Sequence, residues 1–193
     1  RDNLFGAVGR FLARRHRIEK PYLGVHHRLD RDTSGVVLFT KSQRVNVAVA
    51  KSFSDRQTIK IYQAITIFRS GVKREWTIKN YLGKVSSKSK RSLYGAVGSD
   101  GDFAETVFRV IAEHPRGLWL QAIPKTGRTH QIRVHLSEFG LPILGDDLYG
   151  ADETLAPRLM LHAGLLVLPP PITGRELSVE SPLPDDFKRC LHR

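Results

Sequence analysis

The segment His26-His27-Arg28-Leu29-Asp30-Arg31-Asp32-Thr33-Ser34-Gly35 holds the densest group of reactive side chains in the chain. Asp30 stands between Arg28 and Arg31, and a nearby guanidinium favours the charged form of a carboxylate even where water is partly excluded. Such a carboxylate can act as nucleophile, as base or as stabiliser of positive charge. The same residues would also make an ordinary salt-bridged surface loop. A second group is Lys125-Thr126-Gly127-Arg128-Thr129-His130-Gln131-Ile132-Arg133-Val134-His135. If a helix starts near Thr129, its free amide protons and partial positive charge, with Arg128 alongside, suit a phosphate; a plain capped helix with solvated arginines explains it as well. Gly145-Asp146-Asp147-Leu148-Tyr149-Gly150, with His162 or His135, could suggest a metal site. Adjacent acids usually diverge and Gly-Asp-Asp is good turn chemistry, so the turn is favoured and no metal is expected.

These groups need a scaffold, and the spacing of apolar residues supplies its outline. Residues 1–22 read as a basic helical stretch, with Leu4, Val8 and Leu12 at helical spacing, stopped near Pro21. The run Val36, Val37, Leu38 and Phe39 predicts a buried strand immediately after the Asp30 segment. Ser42 can cap a helix carrying Val45, Ala48, Val49 and Phe53 on one side. Residues 58–68 alternate, with Ile59, Ile61, Ile65 and Ile67 on one face and Lys60, Tyr62, Ala64 and Thr66 on the other. Tyr62 therefore points away from the isoleucines.

Residues 71–102 lose this patterning and turn to Lys, Ser and Gly, which predicts a mobile loop or hairpin tip and marks the segment as a candidate variable insertion. Glu105 to Ala112 and Leu118 to Ile123 predict a hairpin around His114-Pro115-Arg116-Gly117. Thr129 then caps a helix with the stripe Ile132, Leu136 and Phe139, ended by Gly140, with His130 and Arg133 on another face. Strands near Leu159 to Leu168 and Glu176 to Glu180 lead to a last helix at Asp185. Strands mostly follow strands directly, so the fold class is α+β, a predominantly antiparallel mixed sheet with flanking helices.

Composition limits the function. The 193 residues suffice for a core, and 40% apolar with 26% charged residues is a globular composition. Lysine and arginine outnumber aspartate and glutamate 31 to 19, a formal charge of +12 that attracts polyanions, nucleic acid first among them. The longest uncharged apolar run, around Leu159 to Leu168, is about half of a bilayer span, so no membrane helix is expected. The lone Cys190 can form neither an internal disulfide nor a cysteine-based zinc site, which fits a reducing, cytoplasmic setting. With Arg1 first and Met160 the only methionine, the chain is expected to lack its native beginning, and residues 1–193 are read as a single domain.

The segments His27 to Gly35 and Thr126 to His135 resemble the two signatures of the RluA-type pseudouridine synthases, in the same order. Further similarities are Lys60-Ile61-Tyr62-Gln63-Ala64, the Ala104 to Val110 strand, Pro142-Ile143-Leu144-Gly145-Asp146 with Tyr149-Gly150, and Leu161-His162-Ala163. The resemblance spans Val25 to Pro184, although the Lys-Pro strand and the small RNA-binding domain common upstream in the family are not visible.

The resemblance implies the pseudouridine synthase fold with an active-site cleft across the sheet, and isomerisation of uridine to pseudouridine without a cofactor. It assigns the carboxylate to Asp30, its ion-pair partner to Arg133, and contact with the target base to Tyr62. Arg28 would help fill the gap left by a flipped-out uridine. Arg128, Lys125, His130 and Lys60, with the run Lys88 to Arg91, would hold the RNA. Ribosomal RNA is the expected partner, transfer RNA the runner-up, and a monomer the expected state. Two other classes stay open: a non-catalytic RNA-binding module, and a metal-dependent nuclease using Asp146, Asp147 and histidines.

Overall fold

In a computed structural model, the structure describes residues 3–88, 91–150, 153–170 and 174–192. The chain forms two compact units: Arg1–Arg28 with Val37–Thr58 and Leu168–Leu177, and Leu29–Val36 with Ile59–Val167 and Ser178–Arg193.

In the first unit, helix α1 (Leu4–His16) begins where the Asn3 side chain accepts the Gly6 N–H at 2.8 Å. It ends at Arg17, whose left-handed backbone closes the last turn beside Arg14, Arg15 and His16, cations that suit the negative end of a helix. Strand β1 (Gly24–Val25) pairs antiparallel with β3 (Phe39–Thr40). Ser42 caps a short 3-10 turn at Gln43–Val45, which leads into helix α2 (Asn46–Ser54). The predicted strand at Val36 to Phe39 is not one strand. Pairing occurs only at its margins, in β2 (Ser34–Gly35) and in β3, and the two margins belong to different units.

The second unit is built on the sheet. Its strands are β4 (Ile59–Thr66), β5 (Glu75–Lys88), β6 (Arg91–Val97), β7 (Asp102–His114), β8 (Gly117–Pro124), β9 (Leu161–Leu168) and β10 (Leu177–Glu180). Among the described residues they lie in the order β10-β9-β4-β8-β7-β5-β6, with β2 added alongside β9. Only the β2 to β9 pairing is described as parallel; the pairs β4/β8, β4/β9, β5/β6, β5/β7 and β7/β8 are antiparallel. This is the expected α+β class. The predicted hairpin is β7 and β8, in which Ala104, Thr106, Phe108 and Val110 alternate inward against Leu118, Leu120 and Ala122. The Lys- and Ser-rich segment is a long hairpin, β5 and β6, whose β5 pairs with β7 from Glu75 to Leu82.

Helix α3 (Gln131–Glu138) is buried over its first six residues, so each polar side chain there needs a partner. Ile132 and Leu136 enter the main core with Phe108, Leu120 and Leu141, and Val134 packs with Leu82 and Ala104. Gln131 donates to the Thr106 hydroxyl at 2.9 Å and accepts from the Thr126 hydroxyl at 2.7 Å. His135 lies between the Thr106 hydroxyl (3.0 Å) and Asn80 Oδ1 (2.9 Å). The amide oxygen can only accept, so Nε2 carries the proton and Nδ1 accepts from Thr106. The expected Thr129 cap is replaced: His130, in the left-handed region at φ 58°, is the N-cap and makes no side-chain cap. Helix α4 (Asp185–His192) adds the fully buried Phe187 to the core. No helix among the described residues is long and apolar enough to cross a membrane.

Burial pushes the His135 imidazole down to about 4, while an unfolded imidazole titrates near 6.5. As pH falls, the unfolded chain binds the extra proton first, so stability present above about 6.5 is lost progressively toward 4. Over that window the wild type should lose about 3 kcal/mol more than a His135→Gln variant, measured by denaturant unfolding at several pH values. Parallel pH curves for the two proteins would show that His135 is not the responsible group.

Candidate active site

Asp30 opens a tight turn, in which the Thr33 N–H bonds to the Asp30 carbonyl at 3.0 Å. The turn is fastened directly behind. Ser34 and Gly35 pair with His162 and Ala163, and the Val36 N–H reaches the Ala163 carbonyl at 2.9 Å. Gly35 has φ 119°, and a Cβ there would collide with the Ala163 carbonyl, so only glycine lets the strands approach. Ser34 Oγ lies 2.9 Å from His162 Nδ1, while His162 Nε2 meets the Ser181 carbonyl at 3.2 Å. A carbonyl only accepts, so Nε2 carries the proton and the Ser34 hydroxyl donates to Nδ1. Burial also lowers the His162 pKa, which favours the neutral ring this arrangement needs.

Arg133 reaches Asp30 from α3. Its NH1 donates to Asp30 Oδ2 at 3.3 Å, and the side chains are 9% and 17% exposed. The stronger hold on Arg133 comes from Asp146, whose fully buried side chain accepts from Nε and NH2, both at 2.8 Å. Asp146 Oδ1 also accepts the Leu148 and Tyr149 N–H groups at 3.1 Å. Burial opposes the Arg133 charge, but the hydrogen bonds and charge of Asp146, with those of Asp30, outweigh it and raise its pKa. The guanidinium is a buried bridge whose fork is fixed at one end and presented to Asp30 at the other.

Asp146 is the residue that sequence reasoning missed. Its segment does turn: Gly145 has φ 70°, where a Cβ would collide with the Arg158 carbonyl. The turn is buried because Leu141, Ile143, Leu144 and Leu148 sink into the protein around it. Tyr149 was also unassigned. Arg133 lies over its ring at 5.0 Å, and its hydroxyl oxygen is 2.7 Å from His130 Nδ1.

Tyr62 sits on β4 opposite Ala122 and Ala163. It does not simply face away from a core, since it packs against the main apolar cluster, and neighbouring Ala64 and Ile65 are both buried. Burial pushes its phenol up to about 12, and the Asp30 charge adds to the shift. Tyr62 therefore keeps its proton at neutral pH.

The remaining predicted residues are placed as follows. His130 Nε2 lies 4.0 Å from Asp30 Oδ1. Lys60 Nζ donates to the Thr126 carbonyl at 3.3 Å, and burial lowers its pKa. The half-buried Arg128 is held by the Phe103 carbonyl (Nε, 2.9 Å) and by Asp102 (3.3 Å), while its N–H is capped by Gln131 Oε1 at 2.9 Å. Lys125 is exposed on the same turn. Arg28 is exposed and belongs to the first unit. The side chains of the run Lys88 to Arg91 lie outside the described residues. Among the described residues no group of three or more His, Cys, Asp or Glu side chains could hold a metal ion.

A carboxylate at a turn fastened to the sheet, bonded by an arginine from a buried helix and close enough to a tyrosine for its charge to raise that phenol's pKa, is the pattern the resemblance implies for an RNA-modifying isomerase. Residues 10–138 match the family model described as RNA pseudouridylate synthase, and the chain belongs to that family. It is 38% identical over 169 residues to ribosomal large subunit pseudouridine synthase C of Rickettsia prowazekii (strain Madrid E), covering 86% of this chain and 55% of that protein. It is 34% identical over 181 residues to ribosomal large subunit pseudouridine synthase D of Pseudomonas aeruginosa, with the same coverages. The chain thus spans about half the length of these curated relatives. Among solved structures, human RNA pseudouridylate synthase domain containing 1 superposes with a TM-score of 0.77 at 27% identity, covering 93% of this chain and 76% of that one. Human RNA pseudouridylate synthase domain containing 4 gives 0.76 at 28% identity, covering 97% and 82%.

Removing one partner of a buried ion pair strands the other charge, typically at about 3–5 kcal/mol. Asp146→Asn should therefore lower unfolding free energy by roughly 3 kcal/mol, against about 1 kcal/mol or less for Asp30→Asn, whose single bond is longer and partly exposed. Denaturant titration of both variants checks this, and equal losses would mean that Asp146 is not the anchor.

Proposed function

We propose that this chain isomerises uridines in RNA to pseudouridine, with Asp30 as the reactive carboxylate. The observation that carries this reading is the bridge Asp146 to Arg133 to Asp30, which orients one oxygen of a largely buried carboxylate whose charge is felt by the Tyr62 phenol. Isomerisation breaks the bond from ribose C1′ to uracil N1 and forms one from C1′ to C5. Nothing is oxidised or hydrolysed, so no cofactor is needed.

Three routes use such a carboxylate: attack at C1′, attack at C6 of the base, or removal of the 2′ proton to form a glycal. Each requires it unprotonated, and each gains from an oxygen already oriented and partly desolvated. Arg133 does the orienting, and because it is held by Asp146 it need not reorganise during the reaction. Tyr62 meets the freed base as a flat apolar face and, with its pKa near 12, as an O–H donor. Help with the C5 proton would then run through that O–H rather than through a standing phenolate.

A uridine in a helix must be flipped out to reach Asp30, at an expense of a few kcal/mol. Arg28 is the residue assigned to fill its place, and Lys60, Lys125 and Arg128 the groups that hold backbone phosphates, with His130 beside Asp30. The formal charge of +12 supports that binding, which should weaken as salt rises. The names of the bacterial relatives favour large-subunit ribosomal RNA over transfer RNA as substrate, and with it a cytoplasmic place of action.

The metal-dependent nuclease would need Asp146 as a ligand. Both of its oxygens are taken by Arg133, so a cation would have to displace a buried guanidinium.

Asp30→Ala and Asp30→Asn should abolish pseudouridine formation while leaving RNA affinity largely intact, read by mass-tagging of pseudouridine and by filter binding; substantial turnover by either would reject Asp30. Arg133→Lys should keep the fold and lower the rate by roughly 10²-fold, since the two-pronged geometry is lost. Wild-type turnover would remove Arg133 from the mechanism.

A further inference from the structure

Arg133 accounts for one oxygen of Asp30, and a separate set of residues converges on the other. Oδ1 faces His130 Nε2 at 4.0 Å, with both side chains less than a fifth exposed. His130 is held on three sides. Its backbone is left-handed, which sets the direction of its Cβ. Its ring meets Tyr94 and Tyr149 edge-on, with centroids 5.4 and 5.6 Å away. Its Nδ1 lies 2.7 Å from the Tyr149 hydroxyl oxygen, which also accepts the main-chain N–H of Tyr94 at 3.1 Å.

The direction of these bonds follows from the donors. The Tyr94 N–H occupies one lone pair of the Tyr149 oxygen, and the phenol proton is left to donate to Nδ1. Burial pushes the Tyr149 phenol up to about 12, which keeps that proton in place. With Nδ1 accepting, the neutral ring carries its hydrogen on Nε2, the nitrogen that faces Asp30. Hydrogen bonds at reacting groups are often long before substrate enters and tighten afterwards.

We propose that Tyr149 is a positioning residue which, through His130, aims an N–H at the second oxygen of Asp30, so that both carboxylate oxygens are oriented. The Tyr149 ring also underlies Arg133, which places it against both groups that hold the carboxylate. Strand β6 contributes through the Tyr94 N–H and ring, which ties the Lys- and Ser-rich hairpin to the reacting group. The inference rests on Asp30 being the reactive carboxylate and adds to that reading a role for Tyr149, His130 and β6.

The experiment uses the full chain, an unmodified large-subunit ribosomal RNA transcript, and three readouts: single-turnover rate, RNA dissociation constant and melting temperature. Tyr149→Phe keeps the ring and removes the hydroxyl. Its rate should fall on the order of tenfold, with affinity unchanged within about twofold. His130→Gln places an amide N–H near the position of Nε2, whereas His130→Asn places one near Nδ1. Asparagine suits a left-handed backbone better than glutamine does, so the Asn variant should melt higher while the Gln variant reacts faster.

Opposite rankings in melting and rate support positioning; the same ranking in both, or a wild-type rate for Tyr149→Phe, overturns it. If Tyr149→Phe does not fold, the His130 pair decides alone. A wild-type chain that forms no pseudouridine in any RNA, or an Asp30→Ala chain that forms it normally, overturns the functional reading and this inference together. Failure of the Tyr149 and His130 variants alone leaves that reading standing.

Discussion

One guanidinium shared between two carboxylates governs the layout of the second unit. A buried arginine is tolerable only if most of its donors are matched, and Asp146 matches two of them at 2.8 Å. That leaves NH1 for Asp30, and the two acids hold the arginine unequally. The carboxylate with no exposure, fed by two backbone N–H groups, is locked in place; the one with a single longer bond and some exposure is the one free to meet a substrate in the proposed reaction. Had both acids gripped Arg133 equally, the site would hold an inert ion triad.

Three elements must be correct for that bridge to form. Helix α3 is fully packed over its first two turns, so Arg133 leaves it in a fixed direction. The segment from Leu141 to Leu148 is drawn inward by its leucines and isoleucine, which carries Asp146 to the arginine. The Asp30 turn is fastened by the short parallel pairing of Ser34 and Gly35 to β9, with the Ser34 to His162 bond beside it. These contacts lie far apart in sequence, so the site exists only once the sheet has brought them together.

That also explains what could be read before the structure was known. Asp30, Arg133 and Tyr62 were legible because they lie in segments dense with reactive residues or with clean alternation, both local properties. Asp146 was not, because Gly-Asp-Asp is good turn chemistry and it does form a turn. The clue lay outside the dipeptide, in apolar residues on both sides that force the turn inward. The run Val36 to Phe39 looked like one strand because local apolarity cannot show that its ends join different units. The segment 71–102 was readable as a loop or hairpin tip, but the length of strands β5 and β6 was not, for a related reason. Their Lys, Ser and Gly content resembles a loop, and the pairing of β5 with β7 that anchors them is set by long-range register. Tyr62 was placed on the correct strand, but its packing depends on both faces of the sheet being covered near Ala64 and Ile65, which alternation alone does not reveal.

Strand β6 lies at the margin of the sheet, where main-chain donors would ordinarily point at solvent and invite a further strand. Here the Tyr94 N–H goes to the Tyr149 hydroxyl and the Ala96 N–H to Glu138 Oε1 at 2.7 Å. Side chains thus mimic the neighbour that a ladder would supply. Any chain seeking to extend the sheet at that margin would have to evict a tyrosine and a glutamate first, which protects this strand from zipping onto copies of itself.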